Sequence, residues 1–86
     1  MLNYTELKFD HAVEFTKDRT TFAVAKYNGN RIRIFLIYNE TGNIYTRNGS
    51  DIWEELNPKD AENIRSLVAS ARSIIPVYTV NDTHAN

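Results

Sequence analysis

Two runs rich in β-branched and aromatic residues, TTFAVAKY at positions 20–27 and RIRIFLIY at positions 31–38, are separated only by Asn28-Gly29-Asn30. Asn and Gly accept positive φ at little cost, so this spacing predicts a β-hairpin whose two runs pair antiparallel. The remaining elements must be arranged around it. Upstream, Leu7, Phe9, His11, Val13 and Phe15 alternate with more polar residues, the period of a half-buried strand; a short helix from Asp10 is the alternative. Thr16-Lys17-Asp18-Arg19 is polar and can turn. Downstream, Asn39 to Gly42 forms a turn and Asn43 to Arg47 a short strand. Asn48-Gly49 is a further turn signal, across which Asp51 to Glu55 can pair back.

A helix follows. Asn57 suits the N-cap, Pro58 the first helical position, and Asp60 completes a pair resembling a capping box. Ala61, Ile64, Leu67, Val68, Ala71, Ile74 and Ile75 then fall on one helical face, and Pro76 ends the run. Val77 to Val80 can form a short strand, and residues 81–86 read as a frayed tail. The fold class expected is α+β: a curved antiparallel meander of four to five strands followed by one long C-terminal helix, with residues 1–80 as a single domain and 81–86 as a flexible tail.

The hairpin loop length decides which side chains share a face. A two-residue loop would set Lys26 against Arg31 or Arg33, and facing like charges repel. A three-residue loop, Asn28-Gly29-Asn30, joins Phe22 and Val24 with Ile32, Ile34 and Leu36, and joins Ala23, Ala25 and Tyr27 with Arg31 and Arg33. On this register the aliphatic set is expected to lie under the helix. The set with Tyr27, Arg31 and Arg33 is then the open face.

The net charge of −1 is unevenly spread. Lys17, Arg19, Lys26, Arg31, Arg33 and Arg47 face only Asp18 and Glu40 between positions 16 and 50, whereas Asp51, Glu54, Glu55, Asp60 and Glu62 face only Lys59 between 51 and 64. A local basic field is what attracts a polyanion. Guanidinium groups neutralise phosphates without reading sequence, and an aromatic ring stacks on unpaired bases. The helix starts acidic and so suits no major groove.

These residues resemble the positive cofactor four family of single-stranded-DNA-binding transcriptional coactivators, in a compact form like its bacterial and phage members. The likeness runs over roughly residues 13 to 75. It rests on Lys17-Asp18-Arg19 before the second strand, on Tyr27-Asn28-Gly29-Asn30-Arg31-Ile32-Arg33-Ile34 at the hairpin, and on Leu56-Asn57-Pro58 at the helix start. The resemblance implies Tyr27 as a base-stacking ring and Lys17, Arg19 and Arg31 as phosphate contacts. It also implies a homodimer with two antiparallel DNA channels. The sequence departs from the family pattern at Asn28, where a basic residue is expected, and at Ile37, where an Arg is expected. A third departure is the loop Arg47-Asn48-Gly49-Ser50 before the acidic segment.

The functional expectation is sequence-independent single-stranded-DNA binding in support of replication, recombination or transcription, with proteins of those pathways as further partners. The contacts expected are Lys17, Arg19, Lys26, Tyr27, Arg31, Arg33 and Arg47, and the homodimer seam Ile64, Leu67, Val68, Ala71 and Ile75. A lone helix on a five-stranded sheet would leave part of its stripe for a second copy. The other class of function is a small inhibitor or adaptor that binds a host protein. Tyr38, Tyr45 and Trp53 suit either a core, an interface or a base platform, and His11, on an apolar strand face, is expected to be a satisfied core residue. No cofactor, metal or enzymatic activity is expected: nucleophile elbow, phosphate loop and zinc spacing are all missing from the sequence. There is no cysteine and no apolar stretch of about 18 residues. The N-terminal residues do not read as a signal peptide, so a cytoplasmic setting is expected, the host's if the chain is phage-encoded. Asn-x-Ser/Thr triplets at Asn3, Asn39, Asn48 and Asn81 then reflect composition rather than glycosylation.

Overall fold

The computed structural model describes residues 3–47 and 52–81. The chain is α+β. A 3-10 turn at Tyr4–Glu6 leads into β1 (Leu7–Phe15), β2 (Thr20–Tyr27), β3 (Arg31–Tyr38), β4 (Ile44–Arg47) and β5 (Glu54–Glu55). These are followed by α1 (Pro58–Ala71) and β6 (Val77–Val80). The first five strands form an antiparallel meander, and the sheet order is β5-β4-β3-β2-β1-β6. After α1 the chain crosses back, and β6 pairs parallel with β1 through Ala12↔Val77 to Phe15↔Val80. The sheet is therefore mixed, with the crossover that a parallel pair requires supplied by the helix.

The hairpin register is the one the three-residue loop predicts. Tyr27 pairs with Arg31, Ala25 with Arg33, Val24 with Ile34 and Phe22 with Leu36. Asn28 and Gly29 both adopt positive φ, 56° and 86°, which is what the loop needs from these two residue types. The expected Asn48-Gly49 turn and the tail beyond Asn81 lie outside the described residues; the segment beyond that turn does pair back, as Tyr45↔Glu55 and Thr46↔Glu54.

The helix begins as expected. Asn57 Oδ1 accepts the Asp60 amide at 2.8 Å, and Pro58 occupies the first turn, where its missing N–H costs nothing. It ends earlier than the apolar stripe does. Ala71 is its last residue, Ile74 and Ile75 both donate to the Ala71 carbonyl, and Ile74 is 82% exposed. The chain has to reverse there to bring Val77 beside Ala12, so the last two stripe positions belong to a turn.

The side on which the helix lies is the reverse of the sequence expectation. The core joins Ala23, Ala25, Phe35, Ile37 and Ile44 of the sheet to Ala61, Ile64 and Val68 of α1. Ala12, Ala23 and Ala25 are fully buried. The small side chains of Ala23 and Ala25 make a shallow seat, over which Ile64 and Val68 complete the buried cluster. The row of Phe22, Val24, Ile34 and Leu36 has no such seat. Counting apolar residues selects the bulkier face; packing a helix selects the smaller one.

A second correction lies in β1. The register slips between Phe9 and His11, a β-bulge at Asp10, so the alternation changes sides. Leu7 and Phe9 face the helix, whereas His11, Val13 and Phe15 face away. His11 is thus not a core residue: its ring nitrogen meets Asp10 Oδ2 at 2.9 Å, and this hydrogen bond holds the Asp10 carboxyl below its ordinary pKa.

The N-terminal segment is tied to the helix start by a hydrogen bond from the Tyr4 hydroxyl to Asp60. Burial, reinforced by that carboxylate, raises the Tyr4 pKa. A raised phenol pKa favours the protonated, folded form. The contact is complete below the ordinary tyrosine range and is lost as the pH rises through the folded value.

The assignment of faces predicts opposite responses to substitution. Ala23→Leu should overpack the helix seat and cost about 1–3 kcal/mol in urea unfolding. Ile32→Thr, at a position 54% exposed on the other face, should change stability by about 0.5 kcal/mol or less. The reverse ranking would place the helix on the Ile32 face.

Candidate nucleic-acid interface

Cross-strand partners share a face, so the register sorts every candidate side chain. On the helix side, Arg33 stands beside Ala25, and Tyr27 lies two residues on, beside Arg31. The Arg33 guanidinium sits over the Tyr27 ring at 5.5 Å from its centroid, and its Nη1 donates to Thr46 Oγ1 at 3.4 Å. Its Nε is buried without a partner among the described residues. Tyr27 and Arg33 are half-buried and Arg31 is exposed. The arrangement is a cation–π pair at the hairpin end of the face that carries the helix.

The other predicted contacts are dispersed. Lys17 and Arg19 occupy the exposed turn between β1 and β2, at the far end of an eight-residue strand, about 26 Å from the hairpin. Arg19 has a positive φ of 54° and pairs with Glu40 at 2.6 Å, which ties this turn to the β3–β4 turn. Lys26 and Arg47 lie on the face opposite Tyr27, because Lys26 pairs with Ile32 and Arg47 with Ile34. The seven residues therefore do not form one channel within a protomer.

The predicted dimer seam is also redistributed. Ile64 is fully buried, Val68 is 6% exposed, and Leu67 packs against the same core. Ala71 and Ile75 are half-buried. The buried part of the stripe, Ala61, Ile64 and Val68, packs on the chain's own sheet.

What remains open is the other sheet face. Its rows read Val80–Phe15–Thr20–Tyr38, then Tyr78–Val13–Phe22–Leu36–Tyr45–Glu55, then His11–Val24–Ile34–Arg47, then Lys8–Lys26–Ile32. Trp53 joins it through its ring contact with Phe22 at 6.3 Å, and the Arg47 guanidinium lies 4.9 Å from the Trp53 ring centroid. Phe15 meets Phe22 at 5.6 Å, and Tyr38 meets Tyr45 at 5.7 Å, both edge to face. A depression between them is lined by Phe15, Asp18, Thr20, Phe22, Leu36 and Tyr38. Tyr38 is 40% exposed at its margin. The centre of the face is apolar and aromatic, and Lys8, Lys26, Arg47 and Glu55 stand around it.

Sequence reasoning weighed Tyr38, Tyr45 and Trp53 without placing them. The signal that places Tyr38 and Tyr45 is the small-residue rule: once Ala23 and Ala25 are recognised as the helix seat, the hairpin register puts Phe22, Tyr38 and Tyr45 on the other face. Compared with protein-family models, curated proteins and solved structures, the chain matches none of them.

A double-mutant cycle distinguishes the packed Tyr27–Arg33 pair from a solvated one. Tyr27→Ala and Arg33→Ala should be non-additive by about 0.5–1 kcal/mol in unfolding free energy. Strict additivity would mean that the two side chains do not interact.

Proposed function

We propose that this chain is a non-catalytic binding protein for single-stranded DNA, and that it binds through the open sheet face rather than through the Tyr27–Arg31–Arg33 surface. The observation that carries this reading is the gathering of Phe15, Phe22, Tyr38, Tyr45 and Trp53 with Lys26 and Arg47 on the one sheet face free of the helix. Rings on a sheet offer stacking surfaces to unpaired bases, and peripheral Lys and Arg side chains meet the backbone without selecting sequence. The depression beside Tyr38 can take a base between apolar walls, with the Thr20 hydroxyl and Asp18 carboxylate available to its edge. Duplex DNA, with its bases stacked inside, offers this surface its phosphates but no faces for the rings.

The reading keeps the class of function implied by the resemblance to the positive cofactor four family and moves the contact surface. Support of replication, recombination or transcription in a cytoplasm is the setting it proposes. Among the described residues no helix is long and apolar enough to cross a membrane.

A second reading is favoured by one observation. The rings pack edge to face on one another and surround aliphatic Val13, Val24, Ile34 and Leu36, the composition of a protein interface core with a polar rim. On that reading the same face binds a protein, as an inhibitor or adaptor would.

Titration with oligo-dT separates the two. Trp53 is the only tryptophan, so intrinsic fluorescence reports the face directly. Single-stranded DNA should quench it, and Tyr38→Ala should lose about 1–3 kcal/mol of binding with an unchanged salt slope. Lys26→Ala should weaken binding and flatten the log–log salt slope by about 0.7. No quenching at low salt, in a protein whose melting is normal, would leave the protein-binding reading.

A further inference from the structure

The two edges of the sheet are built differently. At one edge, β5 has two residues, both exposed glutamates. Short length and like charge are the usual protections of a free edge, since an added strand would meet carboxylates and few hydrogen-bonding groups. At the other edge, β6 reads Val-Tyr-Thr-Val. It carries no charge, glycine or proline, and its residues have high strand propensity.

The parallel ladder fixes which way the β6 backbone points. The Pro76 and Val80 carbonyls accept from Ala12 and Thr16 of the β1 side. Backbone groups alternate along a strand, so Tyr78 also turns toward β1, and the N–H and C=O of Val77 and Thr79 turn outward. Three of the six exposed large apolar side chains among the described residues lie at the same place. Ile74 is 82% exposed, Tyr78 57% and Val80 39%, three large side chains within seven residues.

We infer that this edge pairs with the β6 edge of a second copy about a two-fold axis, joining two six-stranded sheets into one. A second copy is the occupant because the strand is complementary to itself. With Tyr78 on the axis, Val77 and Thr79 fall opposite Thr79 and Val77 of the partner subunit, and their outward groups form the hydrogen-bonded pairs. Tyr78 then faces Tyr78 of the partner subunit as a non-hydrogen-bonded pair on the open face, the closer kind, in which aromatic side chains interact. Like charges are absent from the strand, so nothing in it opposes the pairing. This seam differs from the helix seam expected from sequence, and it stands whatever the open face binds. If that face binds DNA, the join makes one platform from two.

A seam of four-residue strands is at the small end of specific interfaces and should be concentration-dependent. Sedimentation equilibrium up to about 200 μM should show twice the 9.9 kDa chain mass. Thr79→Pro removes one outward N–H while leaving the β1 ladder intact, since proline is tolerated where the N–H faces away from the sheet. That variant should stay at 9.9 kDa with an unchanged melting curve. Should it fail to fold, Tyr78→Glu, at an exposed position, carries the same expectation by setting two carboxylates face to face. The chain has no cysteine, so Tyr78→Cys gives a register-specific readout: the non-hydrogen-bonded pair has the spacing of a disulfide, and mild oxidation should crosslink it into a covalent dimer. Ile32→Cys should not crosslink. A wild-type protein at 9.9 kDa throughout overturns the inference. So do variants that dimerise as the wild type does, or equal crosslinking at both cysteine positions. Loss of the dimer with oligo-dT binding retained would remove this inference and leave the function standing; the converse would do the opposite.

Discussion

The contact between α1 and the alanine seat of β2 sets the orientation of everything else. Ala23 and Ala25 are fully buried, and they share one cluster with Phe35, Ile37 and Ile44 of the sheet and Ala61, Ile64 and Val68 of the helix. Interiors pack at crystal-like density, so a helix can settle on a sheet only where side-chain volume on the two surfaces is shared out. Here the sheet gives way in the middle and the helix fills it. The N-cap at Asn57 sets where the helix starts, and the Arg65 guanidinium reaches the Gly42 carbonyl at 2.6 Å, fastening the helix to the β3–β4 turn. Gly42 suits that turn twice over: its φ is 82°, and a Cβ there would come within 3.1 Å of Arg65 Nη1.

Once that seat is taken, the chemistry of the two faces is decided. Tyr27 and Arg33 become a packed pair at the margin of the core. Phe15, Phe22, Tyr38, Tyr45 and Trp53 become the outward surface. The same event buries Ile64 and Val68 against the chain's own sheet, which leaves the sheet edges among the surfaces open to a second copy. The crossover after α1 supplies such an edge, since it lays β6 beside β1 and leaves Val77 and Thr79 facing outward.

Much of this was legible in the sequence. Alternation and turn chemistry placed β2, β3, the three-residue loop and their register, and capping residues placed the start of α1. Pairing is a local property of hairpins and is written in short-range pattern. The choice of face is not. It depends on the volumes of residues on three strands taken together against a helix distant in sequence, and both faces of β3 have enough aliphatic character to pass for a core. The bulge at Asp10 was hidden for a related reason: the run from Leu7 to Phe15 departs from alternation only at His11-Ala12, and the pairing with β2 is what reveals that one residue has no partner. The placement of the candidate residues follows the face: Tyr27, Arg31 and Arg33 stand on the side of the sheet that carries the helix, and the motif that drew attention to them carries no information on which side that is.

The central claim is that the sheet face away from α1 is the working surface. Methyl-detected NMR tests it most directly, because both faces carry reporters. During titration with oligo-dT, the methyl signals of Val13, Val24, Ile32, Ile34 and Leu36 should shift, while those of Ile37, Ile44 and Ile64 between sheet and helix stay in place. Shifts confined to the second group, or to the surroundings of Tyr27 and Arg31 with the first group unmoved, would contradict it.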